Sequence, residues 1–193
     1  MPSLVPGEFT PHFIATELTA QFMTHLTVSL ATGGIIATPY FIYKMFEFIS
    51  PALHKEQRRF SAMMIFTSSL LFLIGIALNY FIIFPFAYRF LSSYQVQPDI
   101  INQITISSYI SLFIILSLLM GVLFELPIVA YILARLGLLT SDIMVKYRKH
   151  AFVGILLLSA LITPTGDAIT LSLVALPVFA LYILSIWVVK AVR

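Results

Sequence analysis

Ser117-Leu118-Leu119-Met120-Gly121-Val122-Leu123-Phe124-Glu125-Leu126-Pro127-Ile128-Val129-Ala130 sets one carboxylate inside an apolar run. No other acidic or basic residue occurs between Asp99 and Arg135. A stretch this long and apolar is a membrane helix, and a lone carboxylate at hydrocarbon depth is costly unless protonated, paired or hydrated. Chains that keep such a residue generally use it, so Glu125 is the first candidate for an intramembrane functional group. Pro127 lacks a backbone donor and its ring crowds the preceding turn, so a helix break is expected beside the carboxylate.

The rest of the chain agrees. Of 193 residues, 60% are hydrophobic and 10% charged, far below the roughly one quarter charged in soluble domains. The fold class is therefore an all-α polytopic membrane protein. Five spans are predicted, at about 20–43, 60–88, 106–134, 150–162 and 169–189, in a single membrane domain over residues 1–193. There is no cysteine, hence no disulfide, thiol nucleophile or thiolate metal site, and the four histidines have no metal-ligand spacing. Nothing in the sequence calls for a cofactor or a metal, or for nucleic acid as a partner.

Basic residues sort by loop. Lys44, Lys55, Arg58 and Arg59 separate the first two spans; Arg135, Lys146, Arg148 and Lys149 separate the third and fourth; Lys190 and Arg193 follow the fifth. Arg89 is the one exception among 11. The positive-inside rule puts those loops in the cytoplasm. Five spans then leave the amino terminus outside with no preceding helix to carry it across, an arrangement that reads as a chain lacking its natural first span.

The fourth span is short: twelve helical residues cover about 18 Å of a hydrocarbon core about 30 Å thick. It turns at Thr163-Pro164-Thr165-Gly166-Asp167 and returns through a span interrupted by Pro177. Two helix faces carry small or polar residues at spacings of three and four. These are Thr24, Thr27, Ala31, Gly34 and Thr38 in the first span, and Ser68, Phe72, Gly75 and Asn79 in the second. Such stripes let helices approach closely in lipid, and internal packing is expected for both. No internal or inverted repeat is visible, which weakens assignment as a secondary transporter.

Enzyme chemistry finds no support. Thr165-Gly166-Asp167 is superficially similar to the Gly-x-Gly-Asp of membrane aspartyl proteases, but Pro164 replaces the first glycine and no second span-embedded aspartate completes a dyad. The first basic loop carries more signal. Phe46-Glu47-Phe48-Ile49-Ser50-Pro51-Ala52-Leu53-His54-Lys55-Glu56-Gln57-Arg58-Arg59 mixes aromatics, a proline and both charges. Such a surface can recognise a short peptide, with carboxylates for arginine forks and apolar groups as anchors. The same composition serves a positive-inside stop signal, and the residues alone leave both readings open.

At this loop a resemblance enters. Pro39 to Leu53, followed by Glu56-Gln57-Arg58-Arg59, resembles the signature of the TatC family, the large subunit of the twin-arginine protein translocase. Three further blocks follow in the family's order: Phe72 to Pro85, Gly121 to Pro127 around the glutamate, and Thr163 to Asp167 with Ala175-Leu176-Pro177 and Leu181-Tyr182. The resemblance implies a six-helix, glove-shaped fold in the bacterial cytoplasmic membrane, of which five transmembrane helices are present here. It also implies a receptor for twin-arginine signal peptides of folded cargo, driven by the protonmotive force. The implied partners are small single-span A- and B-type subunits, the lipid bilayer and further copies of the chain.

Carried over residue by residue, signal-peptide binding falls to Phe48, Pro51, Leu53, Glu56, Gln57 and Arg58, and intramembrane function to Glu125 and Pro127. Small-subunit docking falls to Thr163, Thr170 and Leu171, and the outer face includes Glu17 and Asp167. The chain departs from the family pattern in three places. Gln57 stands where the family has glutamate, with Glu56 one place earlier; Ile183 replaces a glutamate; and the closing turn displaces its aspartate by one to Asp167. Two rival readings remain beside this one: a proton-coupled small-solute transporter using Glu125, and a non-functional truncated remnant.

Overall fold

In the computed structural model, residues 14–15, 17–49, 61–93, 103–163 and 168–192 are described. Pro51, Leu53, Glu56, Gln57, Arg58 and Asp167 lie outside them. The described chain is helical: α1 (Ala20–Ile49), α2 (Ser61–Leu78), a π-helical turn (Asn79–Ile83), α3 (Phe84–Ser93), α4 (Ile106–Phe124), α5 (Leu126–Arg135), α6 (Ser141–Lys146), α7 (Arg148–Ile162) and α8 (Ala168–Val192). Four helical stretches are long and apolar enough to cross a membrane: Ala20–Phe48, Met63–Ser93, Ile106–Arg135 and Thr170–Ala191.

Each departure from a plain helix has a local cause. Pro85 cannot donate to the carbonyl four residues back, and its ring crowds that turn. The chain answers with the π turn just before it, where the Phe84 N–H bonds the Asn79 carbonyl five residues away. Pro127 acts likewise: α4 ends at Phe124, Glu125 forms a turn, and α5 restarts with Pro127 in its first turn, where no donor is needed. α1 runs six residues past the apolar limit at Tyr43. Hydropathy marks where a helix leaves the hydrocarbon, not where it stops, and Lys44 and Glu47 pair at 2.7 Å on the emerging turn.

The core lies between α2, α4 and α8. Ile83, Met120, Phe124, Val174, Val178 and Leu181 form its main cluster. A second cluster, Phe84, Ala87 and Leu116, is edged by Tyr109 and Phe113, whose rings each meet Phe84 edge-on at 5.0 Å. A third joins Ala130, Met144 and Val189 and seats α6 across the ends of α5 and α8. Ahead of α1, the Ile14 N–H bonds the Ile104 carbonyl at 3.2 Å and the Ile106 N–H bonds that of Ile14 at 3.4 Å. Thr24 meets Ser107 hydroxyl to hydroxyl at 3.3 Å, so the start of α1 is clasped to the start of α4.

The stripe on α1 packs over only part of its length, with Ala31 and Thr38 half-buried. Thr24 is buried, but Thr27 and Gly34 are exposed, and a Cβ added to Gly34 would meet nothing within 4 Å. The Thr27 and Thr38 hydroxyls donate back to carbonyls of their own helix, those of Met23 and Gly34. Small residues permit close approach without supplying the neighbour.

Candidate functional site

The stripe on α2 does find its partner, and that partner is the helix carrying Glu125. Antiparallel packing matches the two faces position by position. Near the π turn the Asn79 amide donates to the Ser117 hydroxyl at 2.9 Å, both residues being buried. One turn along, Gly75 lies against Met120: an added Cβ would sit 2.6 Å from its carbonyl oxygen. Next, Gly121 receives the Phe72 ring, again at 2.6 Å from an added Cβ. At the far end Ser68, 1% exposed, donates its hydroxyl hydrogen to Glu125 Oε2. Two polar contacts thus bracket a close glycine-mediated crossing.

Glu125 lies where α4 ends and α5 begins, serving as the cap of both helices. Its N–H bonds the Val122 carbonyl at 3.1 Å, and its own carbonyl accepts from Ile128 and Val129 at 3.0 Å. The second carboxylate oxygen, Oε1, is buried and has no hydrogen-bond partner among the described residues. Asn79 Oδ1 and Ser159 Oγ share that condition. A buried acceptor left unsatisfied costs about 1–3 kcal/mol, more when it carries charge. The arrangement holds one carboxylate oxygen and leaves the other as an acceptor with spare capacity.

The remaining candidates fall in different surroundings. Pro127 is buried in the first turn of α5. Thr163 and Thr170 are 4% and 2% exposed, and the Thr163 hydroxyl donates to the Ser159 carbonyl at 2.8 Å. Both threonines therefore serve the inside of this chain, while Leu171 beside them is half-buried. Phe48, near the end of α1, is 87% exposed, and Glu17 is exposed in the bend ahead of α1. The residues that sequence reasoning did not single out as site residues are Ser68, Asn79 and Ser117. The first two belonged to the α2 stripe, but Ser117 had no signal of its own within its apolar run.

Fold and site define a class: a multi-pass helical membrane protein organised around a half-buried carboxylate at a helix break. Residues 4–177 match the family described as TatC, Sec-independent protein translocase protein. The TatC protein of Carboxydothermus hydrogenoformans is 37% identical over 92% of this chain and 72% of its own length. That of Koribacter versatilis is 33% identical over 97% of this chain and 69% of its own. A crystal structure of a twin-arginine translocase receptor, TatC, superposes with a TM-score of 0.76 at 32% identity, covering 93% of this chain and 78% of that one. The chain belongs to the TatC family. It is a multi-pass integral protein of the bacterial cytoplasmic membrane and a component of a Sec-independent protein translocase.

Proposed function

We propose that this chain binds the twin-arginine signal peptides of folded cargo at the end of α1 and the loop after it, and passes the peptide along the Glu125 face. It works by binding and conformational coupling, without covalent chemistry. The observation that carries the reading is the Glu125 carboxylate, gripped by Ser68 through one oxygen and, among the described residues, unpartnered at the other. A peptide backbone entering the bilayer needs acceptors and donors that lipid does not supply.

Phe48 gives the entry its apolar contact, and the loop residues Pro51, Leu53, Glu56, Gln57 and Arg58 supply shape and charge. Glu56 takes the arginine-pairing role from the neighbouring Gln57. Glu17 and Asp167 belong to the outer face. The small single-span A- and B-type subunits dock along the α7–α8 hairpin, with Leu171 at the contact. Thr163 and Thr170 support that edge from within, since both are buried in this chain.

A photo-crosslinking residue at Phe48, in membranes containing the complex, tests recognition. Crosslinking to a peptide with paired arginines, and its loss when both become lysine, is the expected result. Equal crosslinking of the two peptides overturns the assignment, because a lysine cannot reproduce the guanidinium fork.

A further inference from the structure

The end of the bundle that carries α6 gathers cations with little to balance them. Arg135 closes α5, Lys146 closes α6, Arg148 and Lys149 open α7, and Lys190 lies in the last turn of α8. Between residues 126 and 163 the one carboxylate is Asp142, and between 168 and 192 there is none. The ion pair formed among the described residues, Lys44 with Glu47, belongs to α1. Rings steady several of these cations without neutralising them: Arg135 over Tyr131 at 5.3 Å, Lys146 over Tyr147 at 5.9 Å and Arg148 over Phe179 at 5.6 Å.

The same segment exposes apolar groups. Leu138, Ile143, Val145 and Tyr147 are 70%, 45%, 56% and 50% exposed, although Met144 of α6 is buried against α5 and α8. The Tyr182 hydroxyl also donates to the Met144 carbonyl at 2.9 Å, fixing α6 in place. A short helix with its inner side chain anchored, and with exposed aliphatic groups interleaved with lysine and arginine, has the composition of a segment lying in the headgroup layer. There the aliphatic groups reach the acyl boundary while the cationic heads stay at phosphate level. An acidic soluble partner would satisfy the cations and leave those aliphatic groups in water.

α7 sharpens the argument. Its 15 residues span about 22 Å, less than the roughly 30 Å hydrocarbon core, and headgroups drawn in toward its ends, or flanking cations reaching out to them, accommodate that mismatch. Its first turn carries Arg148 and Lys149, the sign that a helix amino terminus disfavours. Negative charge drawn close to that turn reverses the penalty.

We propose that α6 and the first turn of α7 form a binding surface for anionic phospholipid, with Lys146, Arg148 and Lys149 contacting the headgroup phosphate. The lipid seats α6 in the headgroup layer and holds the short α7 at a fixed depth.

The chain has no cysteine, so Ser141→Cys accepts a single environment-sensitive fluorophore at the start of α6. The detergent-solubilised full chain is titrated with short-chain phosphatidylglycerol, short-chain phosphatidylcholine or inorganic phosphate. A saturable blue shift with phosphatidylglycerol alone, weakening as salt rises, is expected. Each cation near an anionic surface contributes roughly a fivefold gain, so K146Q/R148Q/K149Q should bind about a hundredfold more weakly. Should that variant not fold, K149Q alone must bind roughly fivefold more weakly while K146R/K149R binds normally. Four results each overturn the proposal: an equal response to phosphatidylcholine, a response to inorganic phosphate alone, unchanged affinity in the charge-neutralised variants, or an equal loss with Lys44→Gln at the end of α1.

Discussion

Ser68 on α2 and Glu125 at the α4–α5 break are joined by a hydrogen bond across 57 residues of sequence. The bond holds the carboxylate against the interface between two helices that approach closely through Gly75 and Gly121. Replacing either partner should therefore disturb the other. Ser68→Ala strips Glu125 of its donor and should cost about 1–3 kcal/mol of stability. Glu125→Gln keeps an acceptor for Ser68 and should be neutral or stabilising. A double-mutant cycle of Ser68→Ala with Glu125→Ala, each of which removes the contact, should show coupling above about 0.5 kcal/mol when read by thermal unfolding in detergent. Strict additivity would mean that the contact carries no energy.

The glycines of this crossing should differ from those of α1. Gly75→Ala drives a methyl group into the Met120 backbone carbonyl, which cannot yield without moving a helix, at a cost of about 1–3 kcal/mol. Gly121→Ala meets the Phe72 ring, which can turn, so its cost should be smaller. Gly34→Ala, facing open space, should be neutral or gain up to about 1 kcal/mol from helix propensity. Thermal midpoints in one detergent rank the three.

Tyr182→Phe removes the hydrogen bond that fixes α6 to α8, worth about 0.5–1.5 kcal/mol. The expected effect is local. Amide hydrogen exchange across residues 136–147 should quicken while that of α4 is unchanged, and uniform quickening would argue against a local anchor.

For the α7–α8 hairpin, burial of Thr163 within this chain separates two roles. Thr163→Val should leave disulfide crosslinking between a cysteine at Leu171 and a small-subunit helix unaltered. Abolished crosslinking with an unchanged thermal midpoint would mean that the hydroxyl itself contacts the partner.

Much of this architecture could be read from residues that break a pattern. Glu125 and Pro127 within an apolar run marked the candidate site and located the helix break, because a carboxylate and a missing donor both have direct costs in lipid. The α2 stripe located a close interface, since Ser68, Gly75 and Asn79 have little other use within an apolar helix. Which helix fills that interface is a tertiary fact: Ser68 carries no mark that it meets Glu125. The α1 stripe had the same spacing but left Thr27 and Gly34 exposed, so spacing shows what an interface permits and not how far one forms. The π turn ahead of Pro85 was also hidden, because a proline there is compatible with a kink, a break or a bulge. In the first basic loop the sequence says more than the structure, since five of its six candidate peptide contacts lie outside the described residues.

The central claim is that the Glu125 carboxylate serves transport beyond its contact with Ser68, and one paired measurement addresses it most directly. Export of a folded reporter bearing a twin-arginine signal peptide is measured in cells carrying Glu125→Gln or Glu125→Lys, alongside the thermal midpoint of each purified variant. The account expects Glu125→Gln to keep its midpoint while export falls at least about tenfold, equivalent to about 1.4 kcal/mol in the rate-limiting step. Glu125→Lys should lose export and assembly together, since a cation at that depth is no cheaper than a carboxylate and has no carboxylate partner at the break. Normal export by the lysine variant would contradict the account.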